Sequence, residues 1–134
     1  MDLRTVAALE TSRIELTDGT GTPLVDASGV IPTIVVFGPG SKQYTAAVAA
    51  RNNRTMDRLR KKGKSDLTAE QQLADHAAFL AACTHSFENI ERDGLAGEAL
   101  YKATYADPST GFIPEQVSLF LGDWGNFTQS APKP

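Results

Sequence analysis

Cysteine is nearly absent from this chain of 134 residues: Cys83 stands alone, so no internal disulfide can form. A domain of this size buries roughly 65–70% of its unfolded surface and folds without disulfide or metal. A single thiol fits a reducing compartment or a purely apolar role. Histidine is equally scarce, with only His76 and His85. A structural zinc site asks for four ligands at short spacings, and Cys83 and His85, two apart on a helix, do not share a face. No metal and no cofactor are therefore expected. No run reaches the roughly 18 apolar residues of a membrane helix. Met1-Asp2-Leu3-Arg4 lacks the basic and apolar regions of a signal peptide, so residence in the cytoplasm of the producing cell is expected.

Catalytic motifs are missing too. No Ser-His-Asp or Cys-His set has supporting context, and Glu88, Glu91 and Asp93 read as a solvated cluster near a helix end. The stretch Ile34–Lys42 imitates a phosphate loop, passing from a strand through glycines to a lysine. It fails on spacing: Ser41 separates Gly40 from Lys42, Gln43 follows the lysine, and Val35 stands where the first glycine belongs. The chain is expected not to be an enzyme.

Positive charge is sparse over most of the chain and concentrated in one segment. Residues 1–50 carry three basic and five acidic groups, residues 51–64 seven and one, and residues 65–134 three and ten. Within the basic block Arg51, Arg54, Arg58 and Lys62 fall three or four apart on one helix stripe, with Arg60, Lys61 and Lys64 beside them. Such a stripe can neutralise phosphates, though no aromatics interleave it and nucleic acid is the less favoured partner. It can equally meet the acidic segment, in the same chain or in a neighbouring copy. It can also be a solvated helix end whose cations favour the C-terminal dipole.

The pattern predicts an α+β fold of one domain: residues 1–40 mainly β, 41–127 three to four helices, and 128–134 a disordered tail. Ile14-Glu15-Leu16-Thr17 alternates and runs into the turn Asp18-Gly19-Thr20-Gly21; Thr33–Phe37 is a β-branched run ending at Gly38-Pro39-Gly40. A third short strand fits near Leu24-Val25, and residues 1–12 fit a helix or a mobile segment. Ser41 is positioned to cap a helix running to about Lys62, where Gly63 breaks it. Thr68 and Gln71 have capping-box spacing, and Leu73, Ala77, Leu80, Ala81, Thr84 and Phe87 continue one helical face. A short helix over Ala96–Tyr105 stops before Asp107-Pro108. The last helix opens at Pro114-Glu115 and carries Ile113, Val117, Phe120, Leu121, Trp124 and Phe127 along one stripe. Such a stripe serves as core, as interface, or as both along its length. With Phe112, its members Val117, Phe120, Leu121, Trp124 and Phe127 are the candidate partner-binding residues, since aromatics dominate interface hot spots.

The ordered set of segments resembles a family. Ile14–Leu16, Asp18-Gly19, Gly38-Pro39-Gly40-Ser41-Lys42-Gln43-Tyr44 and the basic stretch come first. Ala81-Ala82-Cys83-Thr84-His85-Ser86-Phe87, Tyr105-Ala106-Asp107-Pro108, Ile113-Pro114-Glu115-Gln116-Val117 and Asp123-Trp124-Gly125-Asn126-Phe127 follow. Over residues 12–127 this is similar to the tail assembly chaperones of long-tailed bacteriophages and prophages, which often carry tryptophan where Phe87 stands. The resemblance implies a protein of the host bacterial cytoplasm, absent from the mature virion. It would bind the tape measure protein and assist polymerisation of the tail tube protein. It also implies Phe120, Trp124 and Phe127 at the client, with Arg58, Lys61 and Lys62 steering acidic stretches of it. An extended product made by ribosomal frameshifting near Ala131-Pro132-Lys133 belongs to the same expectation. The alternatives are a nucleic-acid-binding regulator using helix 51–64 and a structural head–tail connector subunit.

Overall fold

β-Branched residues and glycine-rich turns place the chain's first regular elements. Strand β1, Thr11–Glu15, pairs antiparallel with β2, Thr33–Phe37, so that Ile14 faces Ile34 and Thr11 faces Phe37. The structure, a computed structural model, describes residues 1–63 and 67–128, the side chain of Lys62 excepted. The expected disordered tail falls on residues 129–134, outside the described residues, apart from an exposed Thr128. A short 3-10 turn, Leu3–Val6, precedes β1; its Asp2 cap accepts the Arg4 N–H. The β1–β2 connection holds no third strand: Leu24 makes one backbone bond to Leu16, and Thr17 and Pro23 form an isolated bridge. Asp18 and Asp26 organise that loop instead, each accepting backbone N–H groups two and four residues on.

The first two helices begin where their caps predict. Helix α1, Lys42–Lys62, starts after Ser41, whose hydroxyl accepts the Tyr44 N–H, and ends at Gly63 with φ of 70°. Helix α2, Ala69–Ala82, opens on the Thr68–Gln71 capping box. It then stops short of expectation. Thr84 and Phe87 do not continue its face: Thr84–Glu88 is strand β3, antiparallel to β2, with Phe87 opposite Ile34. The physical reason is tertiary. The far edge of β2 needs a partner for its backbone groups, and Thr84, His85, Ser86 and Phe87 are indifferent helix formers. The order is β1-β2-β3, with a register irregularity at Val35/Val36. The third strand therefore comes from the segment expected to be helical.

Asp93 and Gly94 turn the chain with positive φ angles of 49° and 71°. Helix α3, Gly97–Ala106, is followed by a 3-10 turn at Pro108–Thr110, then α4, Phe112–Leu121. The last helix is shorter than its apolar stripe. It ends at Gly122, and a separate 3-10 turn, Trp124–Phe127, capped by Asp123, follows it. Helix α2 packs against α1, α3 and α4. The core joins Ile14, Ile34 and Val36 of the sheet to Leu80, Tyr105, Val117, Leu121 and Phe127. Gln116 of α4 mimics a strand neighbour, accepting the Thr17 N–H at 2.9 Å and donating to the Thr17 carbonyl at 2.7 Å. Tyr105 is fully buried; its hydroxyl pairs with Thr84 Oγ1 at 2.7 Å, while that threonine also reaches the Leu80 carbonyl. This fixes the α2–β3 junction to α3. Cys83, buried at the same junction, has its thiol pKa pushed up to about 12 by desolvation, which makes it an apolar filler.

Candidate functional site

The terminal stripe divides between core and surface. Val117, Leu121 and Phe127, expected among the partner-binding residues, are instead buried in the core of the chain rather than presented at its surface. Phe112 and Phe120 are half-buried against that core, and Phe120 meets the Phe127 ring edge-on at 5.5 Å. Trp124 is 58% exposed. The break at Gly122 explains the division. A continuous helix would aim Trp124 inward with Val117; the 3-10 turn swings it out and delivers Phe127 to the core in its stead.

Trp124 is held firmly all the same. Asp123 accepts the Gly125 N–H, Asn126 Nδ2 donates to the Phe120 carbonyl, and the Leu9 N–H donates to the Phe127 carbonyl at 2.6 Å. The indole lies over Gly40 beside Ala8, so close that a methyl group at Gly40 would sit 3.4 Å from the ring. Leu3 and Val6 of the first segment are exposed, and Leu119 of α4 more so, at 78%. Sequence reasoning missed Leu119 because it lies off the apolar stripe; a leucine on the polar side of an amphipathic helix was the available signal. Leu119 borders a cavity of about 300 Å³ with His76, Pro114, Glu115 and Ser118. There His76 Nε2 and Ser118 Oγ lie 3.0 Å apart. Burial and the nearby Arg51 charge lower the imidazole pKa, against an opposing pull from Asp75. Ser118 sits inside α4, where neighbouring N–H groups are engaged in helix bonds and offer no oxyanion site. The pair fastens α2 to α4.

The basic stripe also turns out to be a packing face. The Arg51 guanidinium lies 4.1 Å over the Phe79 ring. Arg54 Nε donates to Asp75 Oδ1 at 2.7 Å, and Arg58 Nη1 approaches the same oxygen at 3.7 Å. Three of the four stripe cations thus face α2, and the acidic segment meets the basic one within the chain through Asp75. Arg60 is exposed, with a loose 3.7 Å contact to Asp57, and Lys61 is exposed. Lys62 continues the helix, its side chain lying outside the described residues together with Lys64. Arg54, Arg58 and Asp75 line an open cleft of about 370 Å³ between α1 and α2, together with Leu67, Gln71, Ala74 and Ala78. Arg54 Nη2 and Arg58 Nε are shielded from solvent there without a hydrogen-bond partner among the described residues.

Among the described residues no helix is long and apolar enough to cross a membrane, and no cluster of three His, Cys, Asp or Glu side chains is arranged to hold a metal ion. Comparison with protein-family models, curated proteins and solved structures returns no match to this chain.

Proposed function

We propose that this chain is a non-catalytic tail assembly chaperone of a long-tailed bacteriophage. It binds the tape measure protein in the host cytoplasm, assists tail tube polymerisation around it, and leaves before the virion is complete. The observation that carries this reading is Trp124: a large aromatic presented to solvent on a turn whose neighbours are hydrogen-bonded in place. Tryptophan is among the side chains enriched at interface hot spots, and a turn already held by hydrogen bonds lowers the ordering cost when a partner covers it. The resemblance of the ordered motifs of residues 12–127 to tail assembly chaperones supports the tape measure protein as that partner. Leu119 takes the place that the buried Phe127 was expected to fill. The engagement of Arg51, Arg54 and Arg58 on α2 tells against the nucleic-acid alternative, which needs those cations at the surface.

Co-expression with the tape measure protein of the same phage tests the proposal. The wild-type chain is expected to keep the client soluble and to co-purify with it. Trp124→Ala, folded by circular dichroism, is expected to weaken that complex at least tenfold, since hot-spot truncations cost about 2 kcal/mol or more. A Trp124→Ala/Leu119→Ser double variant that still solubilises the client overturns the surface assignment. Recovery of the chain in purified virions favours the connector alternative.

A further inference from the structure

We propose that the α1–α2 cleft is a recognition pocket for a single glutamate side chain of a partner protein. Two guanidinium groups converge on one carboxylate oxygen: Arg54 Nε at 2.7 Å and Arg58 Nη1 at 3.7 Å from Asp75 Oδ1. The trio keeps one positive charge in excess in a recess where Arg58 is only 20% exposed and Asp75 16%. The cleft is shallow and open to solvent, so the attraction it offers an anion comes from the partly buried Arg58 and Asp75 and is weakened by salt. Two donors of the same groups, Arg54 Nη2 and Arg58 Nε, have no partner among the described residues. Gln71 adds a third donor at the rim: its Oε1 accepts the Thr68 N–H, and its amide NH2 has no partner among the described residues.

The rest of the lining selects among anions. Leu67, Ala74 and Ala78 form an apolar wall in the same cleft. A glutamate presents a methylene stem for that wall and a planar carboxylate for the guanidinium forks, which match it in a bidentate manner. A nucleic-acid backbone offers successive phosphates along a track and no apolar stem, whereas the single excess positive charge of this cleft matches one anion. Both arginine side chains keep some exposure, 35% for Arg54 and 20% for Arg58. Arg54 Nη2 and Arg58 Nε are themselves shielded, so the entering carboxylate first meets the exposed parts of the two guanidiniums. The site stands whether or not the client is a tape measure protein.

The test is an NMR titration of the arginine Nε–H resonances of the whole chain in phosphate-free buffer. The probe is an alanine-based helical peptide carrying one glutamate; its glutamine counterpart, inorganic phosphate and a short single-stranded oligonucleotide are run alongside. The expected result is a saturable shift of the Arg54 and Arg58 signals with the glutamate peptide and none with the glutamine peptide. Arg58→Gln and Ala74→Leu are each expected to weaken binding at least tenfold. Ala74→Leu fills the cleft and leaves both guanidiniums in place, so it decides the matter if Arg58→Gln fails to fold. No saturable shift, equal response to the glutamine peptide, or unchanged binding by Ala74→Leu overturns the proposal. Displacement of the glutamate peptide by phosphate or the oligonucleotide at lower concentration also overturns it and reassigns the cleft to phosphate groups.

Discussion

Gly38 and Phe127 make contact so closely that their coupling can be forecast with its sign. A Cβ at Gly38 would fall 2.5, 2.8 and 2.9 Å from three carbons of the Phe127 ring. Neither side can give way easily. The Gly38 N–H donates to the Glu10 carbonyl at 2.8 Å, and its own carbonyl accepts both the N–H and the hydroxyl of Ser41. The Phe127 ring is fully buried, and its backbone carbonyl is tied to Leu9. Gly38→Ala should therefore cost about 1–3 kcal/mol by overpacking, although its backbone lies outside the left-handed region that favours glycine. Phe127→Ala should cost about 3–5 kcal/mol. In that background the steric objection is gone, and Gly38→Ala should become neutral or stabilise by about 0.4–1 kcal/mol through the unfolded chain's lost entropy. The assay is equilibrium urea unfolding of the four proteins of the cycle, with a coupling on the order of 2 kcal/mol expected. Phe127→Leu replaces the alanine variant if the latter is too unstable to measure. An equal cost of Gly38→Ala in both backgrounds would refute the argument that the turn before α1 is shaped to fit this ring.

Arg51→Met should lower stability by about 0.5–2 kcal/mol in urea unfolding, because it removes the cation from the Phe79 face. The same variant should raise the His76 pKa, read from its imidazole NMR shift against pH, since the Arg51 charge helps hold that value down. His76 itself makes the fold acid-sensitive: its folded pKa lies below the ordinary 6.5, so the unfolded state takes the proton first as pH falls. Unfolding midpoints should drop between pH 7.5 and 5 in the wild type and drop less in His76→Gln; equal slopes would remove His76 as the cause. Asp107 works at lower pH. Its carboxylate accepts from Arg92 at 2.5 Å and from Ser109, which depresses its pKa to about 2. Its contribution is present above the unfolded value near 4 and is lost as pH falls towards 2. Asp107→Asn should flatten that part of the stability profile, and an unchanged profile would count against the Arg92 pairing.

Local chemistry was legible along the chain because each signal acts within a turn or two. Ser41, Thr68 with Gln71, and Gly63 marked helix ends by side-chain capping and left-handed geometry, which need no distant partner. The β-branched run Thr33–Phe37 was legible as a strand for the same reason. Tertiary structure decided the rest. Thr84–Glu88 became β3 because the open edge of β2 outweighed a helical spacing that was coincidental. Arg51, Arg54 and Arg58 were readable as a stripe, but only the approach of α2, bringing Phe79 and Asp75, turned a cationic face into packing and a cleft. Gly122 and Asp123 divided the last stripe into a buried Phe127 and an exposed Trp124. Periodicity alone assigned both to one face, because a 3.6-residue repeat holds only while the helix continues.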